Sequence, residues 1–209
     1  MVLQKYPGSV HLQDEKMSSS LHYAAGLNDH NMVKEMIKND RWAAYTRDEN
    51  KKIPLHLAAE NGQENVLKAL LDPCPDTIEI LDEDQRNILH LAAKSGNFDA
   101  VSYILHKLPL TEVEDLVNSL DIDGNTPLHL AAGNFHSDAV RLLSRNSTME
   151  IRTLNNEKQS ALALAISTDD GGMELQKVLN CDAYYLKVNY AYEEYQILQN
   201  FAQALLCPN

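Results

Sequence analysis

One motif recurs along the chain at a near-constant interval, and that interval restricts the fold more than any other property of the sequence. The segments SSLHYAA (19–25), IPLHLAA (53–59), NILHLAA (87–93) and TPLHLAA (126–132) align, and their histidines His22, His56, His90 and His129 are separated by 34, 34 and 39 residues. A weaker fifth copy, SALALAI (160–166), places Ala163 34 residues after His129. Eight residues before each of these positions stand Asp14, Asp48, Asp82, Asp121 and then Asn155, small polar residues suited to a turn. Two markers in one phase describe a chain built from about five copies of one small unit.

Within a unit, Thr126 and Pro127 read as a helix start, a capping hydroxyl followed by a residue whose missing N–H costs nothing at the first helical position. Leu128, Leu130, Ala131 and Ala132 then give a helix of about two turns, with alanines that let a neighbour approach closely. A second helix is expected over 64–71, where Val66, Leu67, Leu70 and Leu71 form one apolar stripe. Neither helix buries its stripe alone, so the units must stack in single file, joined by turn-like hairpins.

LHLAAENGQENVLKALL (55–71) and DGNTPLHLAA (123–132) resemble the ankyrin repeat. The resemblance implies an all-α solenoid of about five helix-turn-helix units over 14–180, with units near 14–47, 48–81, 82–120, 121–154 and 155–180. The segments 74–105 and 121–136, with a longer linker at 106–120 between them, are similar to the plant ankyrin proteins of the accelerated-cell-death type. That branch normally continues into a membrane module named for a Pro-Gly-Gly motif. Nothing here resembles that module, since Gly171 and Gly172 follow Asp170 in a polar segment. The chain therefore reads as an excised soluble portion or a naturally short relative. Residues 1–13 resemble the end of a preceding repeat. At the other end, 181–209 lacks the repeat, and Leu198, Phe201 and Leu205 share one helical face there, as a capping helix on the last unit would require. The five tyrosines Tyr184, Tyr185, Tyr190, Tyr192 and Tyr195 fit that cap, with an interface as the alternative.

A net charge of -12 argues against nucleic acid, whose binding relies on Lys and Arg neutralising phosphates, and against anionic lipid. The expected partner is a protein, neutral or basic, or the cytosolic part of a membrane protein. Cys74, Cys181 and Cys207 have no metal-ligand or disulfide spacing, which points to a reduced, cytoplasmic setting, or the cytosolic face of a membrane if the plant resemblance holds. Neither a signal peptide nor a membrane span is visible.

Four stacked histidines invite a metal or proton-relay reading, but packed helices lie about 10 Å apart, too far for two of these rings to share one zinc. Their expected role is structural, hydrogen-bonding across the hairpin and helix start. His11, His30, His106 and His136 read as solvated surface residues. No nucleophile motif or phosphate loop occurs, so no catalytic residue, cofactor or metal is assigned, and the chain reads as a non-enzymatic scaffold.

The binding candidates follow from the resembled family, whose hairpin tips and first-helix faces line a concave surface. They are Asp48, Glu49, Lys51, Asp82, Asp84, Arg86, Asp121 and Asp123 at the tips, and Glu60, Lys94, Asn134 and Phe135 after the alanine pairs. This surface is expected to be acidic around units three and four, and the same residues read equally well as plain solvated turns. One departure stands out. Where units one to three leave the first helix through Asn28, Gly62 and Gly96, unit four has Phe135. A left-handed backbone there would cost about 1–2 kcal/mol, so either the helix ends differently or the ring is used, in packing or as a binding anchor.

Overall fold

The computed structural model describes residues 12–166. They form ten α-helices and two short 3-10 turns, with no strand among the described residues. Unit one contributes α1 (Ser20–Gly26) and α2 (His30–Asn39), unit two α3 (Pro54–Glu60) and α4 (Glu64–Leu71), and unit three α5 (Ile88–Lys94) and α6 (Phe98–Lys107). An additional helix α7 (Leu110–Asn118) follows, then α8 (Pro127–Gly133) and α9 (Ser137–Ser144) of unit four and α10 (Ala161–Ile166) of unit five. First helices pack in one row (α1, α3, α5, α8, α10) and second helices in another (α2, α4, α6, α9), giving the all-α solenoid that the periodicity requires. The remainder of unit five, the tyrosine-rich segment and the proposed cap at 181–209 lie outside the described residues, as do residues 1–11.

The core runs the length of the array between the two rows. The alanine pairs Ala24–Ala25, Ala58–Ala59, Ala92–Ala93 and Ala131–Ala132 are buried, which lets successive first helices approach closely. Leu21, Leu55, Leu89 and Leu128 are fully buried beside them. The stripe expected on the second helix is present in α4, where Val66, Leu67, Leu70 and Leu71 are all buried.

Every complete unit turns between its helices in the same way. The residue after the C-cap has a positive φ: Asn28 at 61°, Gly62 at 72°, Gly96 at 70° and Phe135 at 61°. The next residue donates its N–H back five positions, as Gln63 does to Ala58 O at 2.9 Å and His136 to Ala131 O at 3.0 Å, closing a Schellman motif. Unit four therefore ends its first helix as the others do, and Phe135 adopts the left-handed conformation despite its Cβ. The residue is 37% exposed.

The segment 106–120, expected as a linker, is largely helical. Val113, Leu116 and Val117 are buried at i, i+3 and i+4 of α7, so its apolar stripe docks on the array. Asn87 anchors it. That residue caps α5 by accepting from Leu89 N and His90 N, and its amide also donates to Leu116 O at 3.1 Å and Ser119 Oγ at 2.5 Å. The equivalent Thr126 caps α8 with its hydroxyl and has no second arm to reach an inserted helix.

Candidate functional site

The repeated Asp or Asn builds each hairpin. The Oδ1 of Asp48 accepts from Asn50 N at 2.9 Å and Lys52 N at 2.8 Å. Asp82 accepts from Asp84 N and Arg86 N, both at 2.9 Å, and Asp121 from Asp123 N at 3.0 Å and Asn125 N at 2.8 Å. The backbone closes the same loop, Asp82 N to Arg86 O at 3.1 Å and Asp121 N to Asn125 O at 2.9 Å. Successive hairpins are stitched together by one backbone bond each: Glu49 N to Lys16 O, Glu83 N to Asn50 O, Ile122 N to Asp84 O and Asn156 N to Asp123 O, at 2.9–3.0 Å.

The histidines complete this scaffold. Each sits at the third position of a first helix, where its Nδ1 accepts the N–H of the capping residue: Ser19 at 3.1 Å, Ile53 at 3.0 Å, Asn87 at 3.3 Å and Thr126 at 3.2 Å. The imidazole thus does the work of the Glu or Gln in a capping box. The opposite nitrogen, Nε2–H, donates to a hairpin carbonyl of the next unit from His22, His90 and His129, namely Lys52 O, Asn125 O and Gln159 O, and to Ile80 O at the end of its own unit from His56, at 3.0–3.2 Å. With both ring nitrogens engaged, the row has a structural role. Burial is the main influence on their acidity, holding His56 and His90 down at about 4 even though the carbonyl each ring bonds pulls the other way.

His136, expected as a solvated surface residue, is instead a bracket, its Nε2–H donating to Lys94 O at 2.9 Å. Gln63 and Asn97 occupy the same place in units two and three and donate to Gly26 O and Glu60 O.

The acidic surface expected at the tips is smaller than the sequence implies. Asp82 and Asp121 are buried, 6% and 4% exposed, because their carboxylates face inward onto the hairpin N–H groups. Burial raises the Asp82 pKa against the pull of those bonds. Arg86 is also withdrawn, pairing with Asp84 and, through Nε, with Asp121 Oδ2 at 3.2 Å. The charged groups of these three candidates are engaged inside the array and little exposed to solvent. Asp48 is partly buried in the same turn role, and Glu60 is half-buried and paired with Lys52 Nζ at 2.7 Å. Glu49, Lys51, Lys94, Asp123, Asn134 and Phe135 reach solvent, and Asp84 does so in part. Glu83 and Glu157 are exposed acids at the tips that belong with them.

A hollow of about 570 Å³ lies between the hairpins and first helices of units four and five. Asp123 and Asn125 border it from one hairpin, Asn155, Asn156 and Glu157 from the next, and Leu130, Asn134 and Leu164 from the helices. Its amide-rich lining was not foreseen, although the run Asn155–Asn156 was visible as the weakened fifth copy. The arrangement offers hydrogen-bond donors and acceptors around a small apolar floor. No group of three or more His, Cys, Asp or Glu among the described residues is placed to hold a metal ion, and no helix among them is long and apolar enough to cross a membrane.

Two family models match the chain: ankyrin repeats (3 copies), over residues 2–82 and 21–114, and ankyrin repeats (many copies), over 89–144. No curated protein matches it. Stacked helix pairs, stitched hairpins, a capping histidine in each of four units and these matches lead to one conclusion: the chain belongs to the ankyrin-repeat family.

Proposed function

We propose that the chain is a non-catalytic scaffold that holds a protein partner along the hairpin tips and first helices, with its principal contacts at units three to five. Ankyrin repeats are in general protein–protein interaction modules. The observation that carries the reading is the hollow between the fourth and fifth hairpins, where exposed Asp123, Asn134 and Glu157 meet Leu130 and Leu164. Glu49, Glu83, Asp84 and Asp123 outnumber Lys51 and Lys94 along this face, so a basic or neutral partner surface complements it, and electrostatic steering would speed the encounter.

The test is capture of partners from source tissue with the wild-type chain and with an Asp123→Lys, Asn134→Ala, Phe135→Gly variant. Loss of a saturable partner with an unchanged melting curve supports the surface. Retention of every partner at unchanged affinity refutes it. Asp82 and Asp121 are unsuitable for this purpose because their loss opens the hairpins.

The wider setting we infer from the resemblance of 74–105 and 121–136 to the plant branch is defence or cell-death signalling, in the cytoplasm at the cytosolic side of a membrane. The same resemblance supports a second reading, a cytosolic regulatory domain of a longer membrane protein that senses a partner or small ligand. A reading frame running past Asn209 into apolar stretches of about 20 residues would favour it, and a stop codon at that point would remove it.

A further inference from the structure

Away from the concave face, a cleft lies beside the inserted helix. It holds about 460 Å³ between the 3-10 turn Pro75–Glu79 and α7. Ile78, Leu81 and Leu116 supply apolar wall, and Glu79, Glu112 and Asp115 stand around the rim. None of these three carboxylates has an ion-pair partner among the described residues, although cations elsewhere on the chain are paired. They are also spread out, since no three acids are close enough to hold a metal ion.

Apolar surface extends from both ends of this cleft. Leu81 is the residue before the hairpin aspartate, and the same position in the next two units is Leu120 and then Leu154; the three are 39%, 47% and 52% exposed. Before the first and second hairpins that position holds Gln13 and Arg47, whose side chains bond the carbonyls of Arg47 and Leu81, the residues before the second and third hairpins. The polar bracket thus gives way to an exposed aliphatic row only from unit three onward. At the other end, Asp76 on the cleft wall accepts from Tyr45 Oη at 2.6 Å. The Tyr45 ring lies 5.6 Å from that of Trp42, which is 75% exposed.

We propose that this cleft, with Trp42 at one end and the leucine row at the other, docks a segment of a partner protein in which Arg or Lys alternates with aliphatic residues. Unpaired carboxylates around an apolar wall complement a cation on an aliphatic stem, and an exposed indole adds a face for a guanidinium. The same carboxylates repel phosphate backbones and anionic lipid. The chain's own segment 167–209 carries more carboxylates than cations, so it lacks the complementary charge. This site is separate from the concave groove and stands or falls independently of it.

The chain's single tryptophan provides the readout. A synthetic 12-residue peptide of alternating Arg and Leu is titrated into the full chain, with the matching Glu–Leu peptide as control, following Trp42 emission and backbone amide shifts. Saturable binding of the Arg–Leu peptide alone is expected, with shifts concentrated in residues 75–81 and 112–119. Glu112→Gln with Asp115→Asn should weaken it about tenfold, equivalent to about 1.4 kcal/mol, and Asn134→Ala on the concave face should leave it unchanged. Shifts centred on residues 123–134, equal affinity in the double variant, equal binding of both peptides, or no saturable response would each overturn the proposal.

Discussion

Lowering the pH from 7.5 to 5 should unfasten the hairpin row, and the histidines set the size of the effect. His56 and His90 are fully buried and are held at about 4, principally by that burial, whereas an unfolded histidine titrates near 6.5. His56 also faces Lys52, Arg47 and the His22 ring, which push it down further, while His90 faces Asp121, which raises it, and Arg86, which opposes that. The folded pKa being the lower one, the unfolded chain binds more protons between the two values, and stability falls as the pH drops. The contribution is fully present above about 6.5 and is lost progressively towards 4. At pH 5 an unfolded ring is almost wholly protonated and a folded one scarcely so, which costs about 2 kcal/mol for each of the two residues. His22 and His129 are shifted in the same direction and add to it. Urea unfolding at pH 7.5, 6.5, 5.5 and 5 should therefore show a loss of about 4 kcal/mol, a large share of a typical domain's stability. In His90→Gln the pH-dependent part should shrink by about 2 kcal/mol. Carboxylate titration would survive that substitution, so equal slopes in wild type and variant would refute the assignment. Ring-proton resonances of His56 and His90 that moved through a midpoint near 6.5 in the folded chain would refute it as well.

Three further outcomes follow from the joints between units. Arg86→Asn should destabilise the chain by about 3 kcal/mol, because it leaves the Asp121 carboxylate buried without its cation; adding Asp121→Asn should recover more than 1 kcal/mol in a urea double-mutant cycle, since the pair then copies Asn125 and Asn155, which bond at 3.0 Å one unit on. Gly96→Ala should cost about 2 kcal/mol or more in thermal or urea melts, because φ is 70° there and the new Cβ would meet the His136 ring at 2.3 Å; a neutral result would mean that the ring bracket to Lys94 is dispensable. Asn87→Thr should keep the cap of α5 yet release α7, seen as faster amide exchange across residues 110–118 with a global loss of about 1 kcal/mol.

Periodicity alone sufficed for the repeat phase, the bounds of α4 and the capping role of Thr126, because these depend on local spacing. Three features did not yield to it. The helix at 110–118 was hidden by its position in the interval between two motif copies, although Val113, Leu116 and Val117 carried a helical spacing. The direction of Asp82 and Asp121 was missed because charge counted along a sequence does not show which carboxylates are consumed by their own turn. Arg86 is the same error in reverse, a cation read as surface that is 11% exposed at its side chain. His136 reads as a surface residue in the sequence because its partner, Lys94 O, lies 42 residues away, and only the stacked array brings the two together.

The hairpins also show why such units cannot stand alone. The fourth residue of each turn has a positive φ, and in four of the five hairpins it is not glycine: Met17 at 57°, Lys51 at 57°, Gln85 at 59° and Lys158 at 62°, against Gly124 at 74°. A side chain in that conformation costs about 1–2 kcal/mol, more than one short helix recovers from its own propensity. The Asp or Asn side chain inside the turn offsets part of the cost, but the bond to the preceding hairpin, and the imidazole bond that His22, His90 and His129 make to the following unit, come only from neighbours. Each unit therefore stores strain that the adjacent units hold in place. Cooperativity must accordingly weaken wherever a joint is polar and thin. The Asn125–Asn155 contact replaces a buried ion pair by one neutral amide bond, so the fifth unit should open before the third and fourth, on the side where the amide-lined hollow lies.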